Sequence, residues 1–394
     1  MTGALVGEEL VLPRSDGSLA PYRLGEPTAY EPVSAPLQSR VFYAAAHIVC
    51  DPVVAWGPGG PTHVDWEATL AYRHHLWSYG LGVAEAMDTA QRGSGLDWAT
   101  ARELIRRSAA EAKAVGGRIA CGAGTDQLDA GRSCSLEEVL EAYLEQVAFV
   151  EGQGAAAIVM ASRALAGAAA GPDDYRRVYD AVLSQASRPV IIHWLGPMFD
   201  PALAGYWGSD DLDEATALVL DLVADHSDRV EGIKISLLDA EREAAMRRLL
   251  PEGVRMYTGD DLNYPSLIRG DDQGASDALL GIFDPIAPAA AAALRALDAG
   301  AQQRFDEILA PTLPLARHVF QSPTYNYKVG IVFLAYLNGH QGHFRLLGGL
   351  ESGRSVVHLA ELLVLADRCG LLRDPELAAD RMRRVLAVAG VGVR

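Results

Sequence analysis

Short apolar runs alternate with amphipathic stretches through the middle of the chain, and this rhythm predicts parallel strands separated by helices. The apolar runs fall near residues 40–49 (RVFYAAAHIV), 82–87 (GVAEAM), 118–123 (RIACGA), 155–161 (AAAIVMA), 189–194 (PVIIHW), 230–236 (VEGIKIS), 254–258 (VRMYT) and 276–282 (SDALLGI). Continuous rather than alternating apolar runs suit strands covered on both faces. Between most of them lie helical patterns: Trp66 to Ser78, Trp98 to Ala114, Leu136 to Gln153, Asp173 to Ala186 and Leu212 to Asp225. Eight such strands alternating with helices predict an α/β chain of (β/α)8 TIM-barrel type. No G-x-G-x-x-G turn follows the first strand, as an open dinucleotide-binding sheet would carry.

The ends of the chain read differently. Glu9-Leu10-Val11-Leu12 and Ala20-Pro21-Tyr22-Arg23 flank Ser15-Asp16-Gly17-Ser18, a hairpin signal. Residues 286–394 read as helical, with breaks expected at Pro311, Pro314, Pro323 and Gly348-Gly349. The expected division is therefore a leader over 1–38, a barrel over 39–285 and a C-terminal helical extension over 286–394, packed on the barrel.

Composition narrows the function classes. The 394 residues are 49% hydrophobic, enough for a large core, and their formal charge of -17 repels nucleic acid and anionic lipid. The apolar runs are interrupted well before the ~18 residues a membrane span needs. Residues 1–30 lack the apolar core of a secretory peptide. Cys50, Cys121, Cys134 and Cys369 include no C-x-x-C pair, so free thiols in a reducing cytoplasm are expected.

The basic residues are almost all arginine; the only lysines are Lys113, Lys234 and Lys328. Arginine replaces lysine wherever a surface needs charge, but not where an amine must lose its proton and attack a carbonyl. Lys234 lies between Ile233 and Ile235 on a strand, so side-chain alternation turns it into the barrel interior. Desolvation there favours the neutral amine, the form that makes a Schiff base. The alternative is a lysine ion-paired with Glu85 or Asp260 inside the barrel. His193, one strand earlier, could shuttle protons beside such a lysine, or be a hydrogen-bonded core histidine. Other residues at the C-terminal ends of the strands, where barrels of this type carry their chemistry, include His47, Glu85, Asp88, Thr89, Thr125, Asp126, Arg163, Ser236, Thr258, Asp260 and Asp261. His340 and His343 have no carboxylate at ligand spacing, and adjacent His74 and His75 cannot share a helix face, so no metal is expected.

The order of motifs resembles the dihydrodipicolinate synthase and N-acetylneuraminate lyase family of Schiff-base aldolases. Val64-Asp65-Trp66-Glu67-Ala68 is similar to the family's V-D-x-x-A, Gly122-Ala123-Gly124 to its G-x-G, and Gly232-Ile233-Lys234 to the G-[IV]-K that bears the imine lysine. Tyr257-Thr258-Gly259-Asp260-Asp261 resembles its [ST]-G-[DN]-D, and Tyr327-Lys328-Val329 its P-V-K, which implies a structural role for Lys328. The likeness runs from about residue 40 to about residue 373. The run Met87 to Gly93, His193-Trp194-Leu195-Gly196 and the hairpin resemble more narrowly a dihydrodipicolinate synthase-like branch without an assigned function. The second-strand loop departs from the family: Asp88-Thr89-Ala90-Gln91-Arg92 stands where G-T-T-G-E cradles a keto-acid carboxylate. His193 replaces a tyrosine proton relay, and Ala161-Ser162-Arg163 replaces P-Y-Y.

The resemblance implies a class I lyase, aldolase or dehydratase with Lys234 as imine lysine and His193 as proton relay. Asp88, Thr89, Arg163, Thr258, Asp260 and His47 would hold substrate oxygens. A keto-sugar or another polyhydroxylated carbonyl compound suits Asp88, Asp260 and His47 better than pyruvate does. No cofactor beyond the covalent imine is implied. The resemblance and the apolar helical tail point to a homodimer or homotetramer. Two other readings stay open: a metal-dependent sugar isomerase or epimerase using His47, Glu85, His193 and Asp260, and a non-catalytic barrel that binds a carbonyl metabolite.

Overall fold

The computed structural model describes residues 5–32, 37–54, 62–88, 91–92, 95–128 and 132–392. After a hairpin of β1 (Leu5–Pro13) and β2 (Leu19–Gly25), eight strands follow: β3 (Phe42–Ala45), β4 (Gly82–Glu85), β5 (Ile119–Ala123), β6 (Ala156–Val159), β7 (Val190–Leu195), β8 (Val230–Ser236), β9 (Arg255–Thr258) and β10 (Asp277–Leu280). They close into a parallel barrel in chain order, with β10 pairing β3. The helices alternating with them are α1 (Trp66–Ser78), α2 (Trp98–Val115), α3 (Leu136–Gly152), α4 (Arg163–Ala168), α5 (Pro172–Gln185), α6 (Leu212–Asp225), α7 (Ala240–Arg247) and α8 (Tyr264–Arg269). The C-terminal helices are α9 (Ala287–Asp298), α10 (Gln302–Leu309), α11 (Leu313–Val319), α12 (Tyr327–Leu337), α13 (Val356–Arg368) and α14 (Pro375–Val388). The chain is therefore a (β/α)8 TIM barrel with an N-terminal hairpin and C-terminal helices.

Local signals set the helix ends. Asp65 accepts the Ala68 amide at 3.0 Å to start α1, and Ser135 and Glu138 form a capping box at α3. Gly116, at φ +67°, ends α2 in the left-handed conformation that glycine favours. Pro314 breaks nothing: it sits in the first turn of α11, where no intrahelical donor is lost. Gly348 and Gly349 do interrupt helical geometry, at φ +68° and +71°.

The described residues pack as two units. One gathers Arg40–Ala46 and Leu81–Gly281, and so holds the whole barrel sheet; the other gathers Met1–Ser39, His47–Gly80 and Ile282–Arg394. In the second unit the hairpin is tied to α13, where Asp367 accepts the Tyr22 hydroxyl at 2.7 Å and the Gly25 amide at 3.0 Å.

Barrel register decides which side chains face inward. Tyr43, Ala45, Ala84, Met87, Ala120, Ile158, Met160, Ile191, Tyr257 and Leu279 form one buried cluster, the apolar filling of the barrel. Lys234 pairs with inward-facing Tyr257 on one side and with His193 on the other. Paired residues on neighbouring parallel strands share a face, so Lys234 and His193 both point into the barrel. By the same count Glu85, which follows inward Ala84, faces the helices; it pairs with Cys121 and accepts the Ala86 amide at 3.0 Å.

Candidate active site

The inward lysine and histidine sit on adjacent strands, whose backbones run about 4.8 Å apart. Lys234 is 7% exposed and His193 2%. His193 Nε2 and Ser236 Oγ lie 3.2 Å apart. His193 Nδ1 is buried with no hydrogen-bond partner among the described residues. Burial first, and the neighbouring Lys234 charge second, push the imidazole well below the ordinary histidine range. His193 is thus a neutral imidazole at physiological pH, able to accept a proton.

Gly259 makes room for the lysine stem. A Cβ at this position would stand 2.2 Å from Ser236 Oγ, 2.6 Å from the Ile235 carbonyl oxygen and 2.9 Å from Lys234 Cε. The loop after β9 therefore lies directly against Lys234. Gly122 plays a similar part on β5, where a Cβ would meet the Ala86 oxygen at 2.5 Å and Met160 Sδ at 2.6 Å. Ala86 itself adopts φ +50° at the end of β4, a strained turn for a residue with a Cβ.

The remaining candidates divide sharply. Asp88 is buried just past β4, and its carbonyl accepts the Gln91 and Arg92 amides at 3.0 and 2.8 Å. Thr89 lies outside the described residues. Thr258 pairs with outward-facing Ile235, so its side chain belongs to the helix-facing layer, where Oγ1 accepts the Asp260 amide at 3.2 Å. Asp260 spends both carboxylate oxygens on its own loop: Oδ1 accepts the Leu262 and Asn263 amides at 2.8 and 3.0 Å, and Oδ2 the Asn263 side-chain amide at 2.9 Å. Burial still raises its pKa against the lowering by those hydrogen bonds. Arg163 opens α4 with its side chain 44% exposed, paired to Asp200.

Arg92 is the opposite case, buried and fully engaged. Its guanidinium donates to the carbonyls of Ala86 (2.8 Å) and Gly122 (3.2 Å), to Gln146 Oε1 (2.7 Å) and to the Asp126 carboxylate. It ties the β4 and β5 ends together, and Asp126 serves this cluster. Thr125 Oγ1 and Ser162 Oγ lie 2.6 Å apart at the ends of β5 and β6.

His47 belongs to the other unit. There its Nδ1 lies 2.9 Å from Asp284 Oδ2, its amide donates to the same oxygen at 2.7 Å, and Tyr72 donates to Asp284 Oδ1 at 2.8 Å. Burial would raise the Asp284 carboxyl, but His47 and then Lys328 hold it down to about 2. Lys328 is buried in α12, and its charge helps hold this carboxyl down. Sequence reasoning overlooked Asp284, although one acid inside the apolar run Leu279 to Leu294 is itself a signal of a buried, paired carboxylate. It placed Ser236 only among the strand-end candidates and Gly259 only within a motif, because their closeness to His193 and Lys234 depends on strand register. Among the described residues, no three of His, Cys, Asp and Glu converge as metal ligands.

An eight-stranded parallel barrel with this strand order is the fold of the dihydrodipicolinate synthases. Aligned structures include a putative dihydrodipicolinate synthetase from Pseudomonas aeruginosa (17% identity, TM-score 0.63, 84% of this chain and 99% of that one). The dihydrodipicolinate synthase from Thermotoga maritima aligns at 14% identity and TM-score 0.64, again over 84% and 99%. YagE, a prophage protein of the dihydrodipicolinic acid synthase family from E. coli K12 solved in complex with pyruvate, aligns at 16% identity and TM-score 0.63 over the same shares. The chain belongs to the family described as "Protein of unknown function (DUF993)", whose profile matches residues 10–391. No curated protein matches the chain. No helix among the described residues is long and apolar enough to cross a membrane.

Proposed function

We propose that the protein is a class I lyase, aldolase or dehydratase that forms an imine between Lys234 and a carbonyl substrate. The observation that carries this is Lys234 inside the barrel, beside a buried neutral histidine with one unpaired nitrogen, and against Gly259. The amine of Lys234 adds to the carbonyl carbon and water departs. In C–C cleavage the iminium accepts the electron pair of the breaking bond and becomes an enamine; in C–O cleavage it accepts the pair of an α C–H bond as the proton is removed, and the enamine then expels the β-oxygen, protonated, as water. His193 takes and returns the protons of these steps. No metal or redox cofactor enters this chemistry.

A polyhydroxylated carbonyl compound is the favoured substrate class. Asp88 stands where a keto-acid cradle would have hydroxyls and amides, and a carboxylate side chain there favours substrate hydroxyls over a second carboxylate. At an effective dielectric of ~20, like charges ~4 Å apart cost about 4 kcal/mol, roughly three decades in affinity. Asp88 instead accepts hydrogen bonds from sugar hydroxyls. The enzyme works in the cytoplasm as a homodimer or homotetramer.

Borohydride trapping against pyruvate and a panel of keto-sugars, read by peptide mass mapping, tests both statements. The expected result is a reduced adduct on Lys234 alone, formed more efficiently with a keto-sugar than with pyruvate. An adduct on Lys113 or Lys328, or full activity in Lys234→Arg, overturns the mechanism. Efficient trapping by pyruvate and by no keto-sugar overturns the substrate class alone.

A further inference from the structure

The unit that lacks the barrel sheet has its own cavity, of about 470 Å³, within the range of small-molecule sites. Its walls are rings and prolines. The rings of His75 and His340 lie 4.4 Å apart, and Tyr72 meets His340 edge-on at 4.9 Å. Tyr79 and Tyr30 continue the wall, joined where the Tyr79 hydroxyl donates to the Tyr30 carbonyl at 3.2 Å.

Charge around this cavity runs against the composition of the chain. The sequence holds 51 acidic residues, yet none lines the cavity, and the one charged lining residue is Arg373. The Arg373 guanidinium has no carboxylate partner among the described residues. Its backbone is fixed, because its amide donates to Asn338 Oδ1 at 3.0 Å. Burial first, with Arg373 contributing, pushes His75 down to about 4 and His340 down to about 2. Both rings are neutral at physiological pH and line the wall, tilted against each other, without adding charge.

We propose that this cavity is a second small-molecule site, separate from Lys234, and that it takes a planar aromatic carboxylate. The ring lies against His75, His340 and the tyrosines, and the carboxylate meets Arg373 at the rim. Planar rings recover offset and edge-on contacts beyond the burial of their area. A guanidinium fork matches a carboxylate in both geometry and charge.

The fluorescent probe 2-naphthoate tests the site on the full chain, by fluorescence anisotropy and calorimetry. We expect saturable binding that weakens at least fivefold in Arg373→Gln, and at least fivefold for the neutral isostere 2-naphthamide. Arg373 is exposed at the rim, so its replacement leaves the fold intact. With histidines carbon-13 labelled, the ring signals of His75 and His340 shift during the titration. Lys234→Met leaves naphthoate binding unchanged, so failure of the imine mechanism and failure of this proposal are distinguishable. Absence of saturable binding, a change below fivefold in Arg373→Gln or with the amide, unmoved histidine signals, or loss of binding in Lys234→Met would each overturn it.

Discussion

Replacing Gly259 by alanine adds one methyl group at the point where the loop after β9 touches Lys234. That methyl would lie 2.2 Å from Ser236 Oγ, 2.6 Å from the Ile235 oxygen and 2.9 Å from Lys234 Cε. Comfortable carbon contacts begin near ~3.5 Å. The Ser236 hydroxyl can rotate and the lysine stem can bend, but the Ile235 oxygen is backbone and also accepts the Gly259 amide at 2.8 Å. Relief therefore comes from shifting the loop and pushing Lys234 aside by roughly half an ångström to one ångström, judged against that contact limit. Overpacking of this kind costs about 1–3 kcal/mol of stability. A displacement of ~1 Å at a reacting group costs on the order of a hundredfold in rate. Two assays separate the effects: thermal unfolding, and the rate of borohydride-trapped adduct at Lys234 with the best substrate of the panel. Gly259→Ala should lower both, the adduct rate far more than the stability. Gly167→Ala in α4, where a Cβ meets nothing within 4 Å, serves as the control and should change neither adversely. Wild-type adduct rate and stability in Gly259→Ala would refute the placement of the loop against Lys234.

The buried carboxyl of Glu243 is pushed up to about 8, by burial first, against lowering hydrogen bonds from Ser276 and Thr258. A raised folded-state pKa means stability is full below the ordinary carboxyl value of 4.5 and is lost as pH rises through about 8, a total of about 5 kcal/mol. Glu243→Gln should thus be more stable than wild type at pH 9 and similar near pH 4.5 in denaturant titrations; equal stability at pH 9 would contradict this. Arg92→Met leaves the Asp126 carboxylate and two carbonyls without their donor and should cost about 3–5 kcal/mol, read as a lowered unfolding midpoint; a neutral result would show that the cluster does not hold the β4 and β5 ends. His193→Gln should keep the trapped adduct at Lys234 while turnover falls about 10²–10⁴-fold, and undiminished turnover would remove His193 from the proton steps. Light scattering should give a dimer or tetramer at micromolar concentration, and a monomer would contradict the proposed assembly.

Much of the architecture was written in local pattern. Apolar runs bounded by caps and turns placed every barrel strand, because strands covered on both faces must be apolar throughout. The inward direction of Lys234 followed from its two isoleucine neighbours, since side-chain alternation is a property of the strand alone. The partners of each polar group were not legible in this way. Thr258, Asp260, Glu85 and Arg163 lie at the ends of strands, as expected, yet Thr258 and Glu85 face the helices, Asp260 folds back on its own loop and Arg163 turns to Asp200. Those choices depend on register between strands and on the path of loops, which bring together residues far apart in the chain. Asp284 with His47, 237 positions apart, and Gly259 against Lys234 are contacts of that kind. Local propensity determined which segments became strands and helices; only closure of the barrel and packing of the C-terminal helices decided which buried charges met, because a buried charge is stable only where tertiary structure supplies its partner.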